Sequence, residues 1–268
     1  MPSANSSPRT LQPLLILEPL GPAEENLLSG RGEEVRTILE NCQAGRLTIL
    51  LSPPGFGASS VLRAGVEPAL LRAGTIVAVF SDWDSRTFAA RLRETVAAAV
   101  HDQTGIPFSP QEREPLIELL ERARARSGKP IAILLDQFED YLRCHAGSDI
   151  ADDFDAELSH AVSSRAAQFV IAMHPSALGE FERFSQFVPN LLGYTVTLAP
   201  LSREDAAELV RRRGIEPAAA DEIVSARAAA VDGGVNPSLV VLAAASLSGT
   251  TRRAAGGADR LILNSLDP

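Results

Sequence analysis

The chain has 268 residues and carries 25 lysines and arginines against 34 aspartates and glutamates, a formal net charge of −9. With a pI of about 5.0, its surface lacks a general basic field, which excludes non-specific DNA or RNA coating and leaves room only for a local basic patch. Hydrophobic residues make up 45% of the chain and charged residues 22%, proportions typical of a globular protein. We therefore expect a folded protein with no nucleic-acid partner.

The cysteines and the apolar runs indicate the compartment. Cys42 and Cys144 are the only cysteines and lie far apart, which argues against a disulfide framework or a cysteine-based zinc site. The apolar runs at 47–51, 131–135 and 239–245 are far shorter than the roughly 18 residues that cross a bilayer, and residues 1–13 lack the pattern of a secretion signal. These features predict a cytoplasmic protein that has no membrane partner.

Short apolar segments alternate with longer amphipathic ones along the first 200 residues. The apolar segments are rich in Val, Ile and Leu, as buried strands are, and the stretches between them are long enough for helices. Strands that alternate with helices predict an α/β fold with a parallel sheet covered on both faces. The predicted strands are 47–51, 75–81, 131–136, 168–173 and 194–198, and the helices between them are 58–72, 85–101, 111–127 and 150–165.

The regions that flank this alternation complete the domain prediction. Residues 1–28 are expected to form a flexible N-terminal segment, and the α/β domain spans 29–200, starting with an amphipathic helix at 31–45. Helices without strands follow at 202–214, 216–234 and 236–247, which predicts a helical subdomain over 201–248. Residues 249–268 remain as a C-terminal tail.

A loop that resembles a phosphate-binding loop directly follows the first predicted strand. It reads Ser52-Pro53-Pro54-Gly55-Phe56-Gly57-Ala58-Ser59-Ser60. Aligned on the pattern GxxxxGK[ST], Gly57 takes the second glycine and Ser59 the magnesium-ligating hydroxyl, whereas Ala58 replaces the lysine. Similar turns between a strand and a helix also serve as plain connectors, so the loop needs a second element to be informative.

The second element is the predicted strand that ends at Asp136. In phosphate-loop proteins a carboxylate at this place sits beside Mg²⁺, and the run Asp136-Gln137-Phe138-Glu139-Asp140 favours that interpretation. The alternative is a strand-end carboxylate that caps a neighbouring turn. Glu139 or Gln137 would orient the attacking water in an active protein of this kind.

Four stretches together resemble the STAND class of AAA+-like P-loop NTPases, most closely its bacterial novel STAND branch. They are SGRGEEVRTILENCQAGRLTILLSPPGFGASSVLRAGVEPAL, FSDWDSRTF, ILLDQFEDYL, and FVIAMHPSALGEFERF with VPNLLGYTVTLAPLSREDAAELV. The resemblance covers roughly residues 29–210. It implies a five-stranded parallel sheet with the phosphate loop and Asp136 on adjacent central strands, a helical lid, and ATP or GTP with Mg²⁺ as the ligand.

The chain departs from this family pattern at several positions. Ala58 removes the phosphate-binding lysine, Ser52 replaces a glycine and Pro54 removes a backbone donor. His174-Pro175-Ser176 stands where relatives carry a charged sensor sequence. The motif is therefore a degenerate Walker A motif, and the set Asp136, Glu139 and Gln137 is expected to be a relic of a catalytic site.

The backbone part of the binding site is nevertheless expected to survive. The N–H groups of Gly55, Phe56, Gly57, Ala58, Ser59 and Ser60, with the helix that follows, still form an anion site, and Ser59 with Asp136 would hold Mg²⁺ when nucleotide binds. Loss of the lysine contact costs roughly 1.5–3 kcal/mol, or about 10- to 150-fold in affinity. Hydrolysis needs much more electrostatic stabilisation and is expected to be very slow or absent.

Other residues receive weaker interpretations. Lys129, the only lysine, should lie at the opposite edge of the sheet, Arg63 should face away from the nucleotide, and Arg183 or the arginines at 211–213 would need a special geometry to reach it. The four histidines share no ligand spacing, His174 being favoured as a satisfied strand-end residue over a catalytic base. Trp83 is expected to line either the cleft or an interface.

The sequence therefore favours a non-catalytic STAND-type module that binds ATP or GTP weakly and acts through a protein partner or self-association. The main alternative is an active ATPase switch in which an arginine replaces the lysine. A third version is a scaffold that binds no nucleotide.

Overall fold

The computed structural model describes residues 18–227 and 234–244. The described chain forms two compact units, 19–200 and 201–244 with its gap at 228–233. Residues 1–17, 228–233 and 245–268 lie outside the described residues. They include most of the predicted N-terminal segment, the ends of the helices predicted at 216–234 and 236–247, and the whole predicted tail at 249–268. In the described ranges, no helix combines the length and apolar composition needed to cross a bilayer.

A five-stranded parallel sheet forms the centre of the larger unit, as the alternating pattern predicts. Four strands are almost fully buried, because helices cover both faces of the sheet. The strand order is β2-β3-β4-β1-β5. The strands are β1 Leu47–Leu51, β2 Ile76–Phe80, β3 Ile131–Leu135, β4 Gln168–Met173 and β5 Thr195–Thr197.

This order corrects one expectation. The resemblance implied that the strands before the phosphate loop and before Asp136 are neighbours, yet β4 pairs with both β1 and β3 and lies between them. Two strand spacings, about 10 Å, therefore separate the ends of β1 and β3. Contact between the two motifs requires a side chain that reaches across the end of β4.

Helices occupy nearly all the predicted positions. The one at 111–127 begins later, at Leu116, because Pro115 precedes it in an extended conformation as the N-cap. The helices of the larger unit are α1 Gly32–Ala44, α2 in three consecutive segments Ala58–Ser60, Val61–Val66 and Glu67–Arg72, α3 Phe88–Thr104, α4 Leu116–Ser127, α5 Phe138–Cys144 and α6 Asp149–Ser163. Three short helical segments follow β4: the 3-10 helices Pro175–Ala177 and Glu182–Gln186, with one α-helical turn, Leu178–Phe181, between them.

The segment before α1 is ordered where the sequence predicted flexibility. Pro22–Leu27 forms a 3-10 helix, and Leu20 is buried with 5% exposure. Gly65 explains the close approach of this segment and α1 to α2, since a Cβ there would lie 2.5 Å from Val35 and 3.0 Å from Leu28. The middle segment of α2, which contains Gly65, is π-helical.

The smaller unit is helical, as predicted. Helix α7 spans Arg203–Arg212, α8 spans Pro217–Arg227 and α9 spans 237–244. The Ser202 hydroxyl accepts a hydrogen bond from the Asp205 N–H at 3.0 Å and caps α7. Leu201 pairs with Val235 through an isolated antiparallel bridge.

A buried polar group ties α5, α6 and the turns after β4 together. Asp155 is 9% exposed and accepts hydrogen bonds from the Tyr141 hydroxyl at 2.5 Å and from Arg183 Nε at 2.6 Å. The acidic residues at the start of α6 place favourable negative charge at a helix N-terminus. Asp155, further along the same helix, lies inside the fold and pairs with Arg183.

We predict that Asp155→Ala lowers the free energy of unfolding by about 2–3 kcal/mol, because Arg183 and Tyr141 lose their shared acceptor. Urea denaturation followed by circular dichroism measures this change. The matched control is Asp140→Ala, which removes the partner of Arg143, a side chain that is 74% exposed, and should cost less than about 1 kcal/mol. Equal losses in the two variants would contradict the assignment.

Candidate functional site

The loop between β1 and α2 is shaped by two glycines in left-handed conformations. Gly55 has φ 78° and Gly57 has φ 91°, values that residues other than glycine rarely adopt. The Phe56 N–H donates to the Pro53 carbonyl at 3.2 Å, which closes a turn, and the Phe56 ring is buried. Ser52, in place of the first glycine, is also buried and donates its hydroxyl to the Pro53 carbonyl at 3.1 Å.

A buried arginine on α1 holds this loop through a hydrogen bond to its backbone. Arg31, the N-cap residue of α1, is 3% exposed, and its Nη2 donates to the Phe56 carbonyl at 3.0 Å. Its Nη1 pairs with Glu34 at 2.8 Å, so the buried charge is compensated. Arg31 was not predicted as a site residue from the sequence, although it lies in the first stretch of the STAND resemblance.

The two serines at the start of α2 have different partners. The Ser59 hydroxyl lies near enough to the Asp136 carboxylate, across the end of β4, to oppose the rise in its pKa. The Ser60 hydroxyl accepts from the Leu20 N–H at 3.1 Å. The structure thus brings Ser59 and Asp136 together, while the Ser60 side chain anchors the segment before α1.

Asp136, at the end of β3, is buried, and both of its backbone polar groups are hydrogen-bonded. It is 2% exposed, its N–H donates to the Phe80 carbonyl at 2.8 Å, and its carbonyl accepts from Trp83 Nε1 at 2.7 Å. Burial raises the pKa of its carboxyl group above the ordinary value, while the Ser59 hydrogen bond and the Arg63 charge oppose that shift. The Asp136 side chain is therefore held in place, and its burial disfavours the ionised form.

Trp83 belongs to the core and lines neither a cleft nor a surface. It is 1% exposed and packs edge-on against Phe80 and Phe138, with ring centroids 4.8 and 5.2 Å away. Its only polar side-chain atom donates to the Asp136 carbonyl. Trp83, which follows β2 in sequence, thus helps to position the end of β3.

The residues after Asp136 have distinct placements. Gln137 is exposed and has φ 55°, a left-handed value that is uncommon for a residue with a side chain and that turns the chain sharply into α5. Glu139 is half-buried and accepts from the His174 N–H at the end of β4 at 3.2 Å. Burial raises the pKa of Glu139, and the Asp140 and Asp136 charges add to that shift. The His174 ring accepts from the Ser176 N–H at 3.1 Å.

Arg63 does not face away from the site, which corrects the sequence expectation. It lies one helical turn after Ser59 and on the same side of α2, and its Nη2 donates to the Ser81 hydroxyl at 3.4 Å. Burial raises the pKa values of Asp136 and Glu67, and the Arg63 charge opposes both shifts. The buried Nε of Arg63 has no hydrogen-bond partner among the described residues. The spacing of four residues between Ser59 and Arg63 is the sequence signal for this placement.

The other arginines considered for the site have partners elsewhere. Arg183 pairs with Asp155, Arg211 with Asp221 at 3.0 Å, and Arg212 with Glu208 at 2.8 Å. Ala58 contributes no charge at the lysine position. Among the described residues of the larger unit, Arg63 is thus the arginine that the structure couples to Asp136.

The donor set suits magnesium as a cation shared with phosphate groups. A serine hydroxyl and an aspartate carboxylate are oxygen ligands of the kind that Mg²⁺ prefers, with water and phosphate oxygens completing its shell. Within residues 18–227 and 234–244, no cluster of three or more His, Cys, Asp or Glu side chains forms a metal cage. When bound, Mg²⁺ would supply positive charge against the phosphates, and Ser59 and Asp136 would hold it.

This parallel sheet, its glycine loop and the Ser59–Asp136 link define a P-loop NTPase-type domain. The model of the family Novel STAND NTPase 1 matches residues 13–232. The chain therefore belongs to the novel STAND NTPase 1 family, which confirms the resemblance drawn from its motifs. No curated protein matches its sequence significantly.

Solved structures share the fold. The Walker-type ATPase paby2304 of Pyrococcus abyssi has a TM-score of 0.64 and 19% identity, over 88% of this chain and 72% of that one. The ORC2 protein of Aeropyrum pernix has TM-scores of 0.57 in its ADP form and 0.60 in its ADPNP-ADP complexes, at 18% and 17% identity. This chain is covered to 87% in both ORC2 comparisons and spans 66% and 65% of those chains. At such identities the likeness concerns the fold alone.

We predict that Arg31→Ala lowers the free energy of unfolding by about 2–4 kcal/mol, because it leaves the Phe56 carbonyl and Glu34 without their partner. Arg36→Ala is the control on the same helix. The Arg36 side chain is 56% exposed, so its loss should cost less than about 1 kcal/mol. Chemical denaturation of both variants tests this, and a similar cost for both would show that Arg31 does not support the loop.

Asp136→Asn is expected to stabilise the chain at neutral pH. Because the folded-state pKa of Asp136 is raised, the ionised carboxylate opposes folding, and wild-type stability falls as the pH rises from about 4 toward that pKa. Asparagine keeps an acceptor for Ser59 without the charge. The gain should be present at pH 7 and disappear below about pH 4.

Thermal unfolding from pH 3 to 8 measures this difference. The control is Asp153→Asn on the exposed face of α6, which should stay within about 0.5 kcal/mol of wild type at every pH. A loss of stability in Asp136→Asn at pH 7 would mean that the ionised carboxylate stabilises the fold.

Proposed function

We propose that the chain is a regulatory STAND-type module that holds ATP or GTP weakly, hydrolyses it very slowly or not at all, and acts through association with a protein partner or with itself. One observation carries the proposal: Ala58 occupies the lysine position in a site that keeps the glycine conformations and the Ser59–Asp136 link. The binding frame is thus retained without the charge that phosphoryl transfer needs.

Weak binding follows from what the loop retains. The backbone N–H groups at 57–60, where α2 starts, favour an anion independently of side-chain identity, whereas the Phe56 N–H already donates to the Pro53 carbonyl. The loss of one charge-assisted contact costs roughly 1.5–3 kcal/mol. The ADP and ADPNP complexes of the Aeropyrum pernix ORC2 protein, which shares the fold, support a nucleotide as the ligand.

Slow hydrolysis follows from the charges around the reacting phosphate. The γ-phosphoryl group gains stabilisation from positioned cations, and Ala58 supplies none. Glu139 or Gln137 would orient the attacking water in an active protein, but the Glu139 carboxylate already accepts from the His174 N–H. Without the lysine, positioning a water by Glu139 or Gln137 would bring little rate.

Arg63 supports the second candidate, an active ATPase switch in which an arginine replaces the lysine. Its charge acts on Asp136, so a cation is present at the carboxyl end of β3. It stands one turn beyond Ser59 on α2, however, and not in the loop that would wrap the phosphates. This placement favours neutralisation of Asp136 over contact with the β- and γ-phosphates.

Association with a protein fits the surface and the cysteines. Phe187 and Leu192, in the α/β unit, are 49% and 41% exposed, and such apolar side chains suit a protein contact. Cys42 and Cys144 are both free thiols, in keeping with the reducing cytoplasm of a bacterium. A signalling role is the natural use of a nucleotide-binding module that does not turn its ligand over.

The decisive variant is Ala58→Lys, with Ala58→Met as a control of similar length without charge. We expect Ala58→Lys to tighten ATP binding by about 10- to 150-fold and Ala58→Met to leave it unchanged within about twofold. Calorimetric titration of ATP and GTP, with and without Mg²⁺, measures the affinities. A phosphate-release assay on the same samples measures turnover.

Three results would overturn the proposal or part of it. Phosphate release by the unmodified chain that disappears in both Asp136→Ala and Arg63→Ala would establish the active switch. The absence of any heat or thermal shift with ATP and GTP would leave a scaffold that binds no nucleotide. Tight binding by the unmodified chain that Ala58→Lys does not improve would remove the lysine argument.

A further inference from the structure

The amino-terminal end of the sheet contains a cavity, on the side opposite the phosphate loop. Its volume is about 530 Å³, and it is bordered by the first residues of three strands, Leu47, Ile131 and Gln168. The phosphate loop follows the last residue of β1, so the length of that strand, about 16 Å, separates the two places. The volume lies in the range of sites for small organic ligands.

Three arginines line this cavity: Arg46, Arg124 and Arg165. No aspartate or glutamate is among the described residues that line it. In a chain with a formal charge of −9, this is a local concentration of positive charge, the local patch that the overall composition left open. A site of this kind attracts anions.

Part of this charge has a structural use. Arg46 Nη1 donates to the Ser163 carbonyl, and Arg124 Nη1 donates to the Arg165 carbonyl at 2.6 Å. Both contacts satisfy carbonyls at the end of α6 and in the turn before β4, where a helix presents its negative pole. Each contact uses one of the five N–H donors of a guanidinium group, so most donors remain available.

Arg165 has no such structural use. Its side chain is exposed, and no hydrogen bond or ion pair holds it among the described residues. Maintenance of the fold therefore does not explain why an arginine lines the cavity at this turn. Guanidinium groups bind phosphate and carboxylate through two parallel hydrogen bonds, which makes a pair or trio of arginines suited to such groups.

We propose that this cavity binds a small organic anion bearing phosphate or carboxylate groups, at a site separate from the phosphate loop. Arg165 and Arg124 donate hydrogen bonds to the charged groups of the ligand, and Arg46 adds positive charge just after the end of α1. The uncharged polar side chains of the lining, among them Asn190 and Tyr194, supply further hydrogen bonds. The site is independent of the proposed nucleotide binding and stands without it.

Inorganic pyrophosphate is the probe for phosphate and citrate the probe for carboxylate, titrated calorimetrically at low ionic strength. We expect at least one of them to bind, and Arg165→Ala and Arg124→Ala each to weaken binding about tenfold or more. The matched control is Arg126→Ala on the same helix as Arg124. Arg126 stacks on Phe108, with 5.7 Å to the ring centroid, and is not part of the lining, so its removal should change the affinity less than about twofold.

The phosphate loop itself could bind pyrophosphate, so Gly57→Val distinguishes the two places. A valine at φ 91° distorts the loop and should leave the cavity intact. Binding that survives Gly57→Val and weakens in Arg165→Ala supports the proposal, whichever anion binds. Binding lost in Gly57→Val and unchanged in Arg165→Ala would overturn it, as would an absence of binding by both anions.

ATP titrations of the same variants keep this test apart from the nucleotide proposal. Because ATP also carries phosphate groups, the loop variant separates the two places: failure of the nucleotide proposal would appear as anion binding at the cavity together with an ATP response that is absent or that Gly57→Val leaves unchanged. Because the Arg165 side chain makes no contact that folding needs, Arg165→Ala should keep the circular dichroism spectrum and melting temperature of the wild type. Arg165→Gln, which preserves the length of the side chain, is the second variant and should weaken binding to a similar extent.

Discussion

The structure of the candidate site depends on how Asp136 is held. Its backbone N–H and carbonyl are both hydrogen-bonded, to Phe80 and Trp83, and the Ser59 hydroxyl lies near its side chain. These contacts join β2, β3 and α2 at one point, although β4 separates β3 from β1. Trp83 adds the aromatic core to this point, so the carboxylate keeps one position. A buried carboxyl group with a raised pKa destabilises the folded state when it is ionised, a kind of destabilisation that is common at functional sites.

The loop and the carboxylate have different kinds of support. The loop is shaped by glycine conformations and held by Arg31, which is buried and paired, so its geometry does not depend on the residue at position 58. The missing lysine therefore removes a charge without removing the cradle. Arg63 partly offsets the charge of Asp136, but it lies beyond Ser59 along α2. Positive charge is thus missing from the loop, where Ala58 replaces the lysine, and is present near the end of β3, where Arg63 lies.

Much of the fold could be predicted because it depends on local patterns. Five apolar segments gave the strands within one or two residues, and their alternation with helices required a parallel sheet. The motifs around Ser59 and Asp136 indicated the family, and the match over residues 13–232 agrees. The prediction of a flexible segment before α1 is wrong for residues 19–28, which include a 3-10 helix. The Leu20 N–H donates to Ser60 on α2, a contact between residues distant in sequence.

The sequence by itself determined the fold class, the family and the absence of the lysine, since each follows from residue types at fixed spacing. Only the tertiary structure decided the order of the strands, the inward position of Trp83, the Arg31 support and the direction of Arg63. Each of these depends on which elements become neighbours, and no local pattern encodes that. The same holds for the arginines at 46, 124 and 165, which are 119 residues apart at the extremes and meet only because β1, β3 and β4 start at one edge of the sheet.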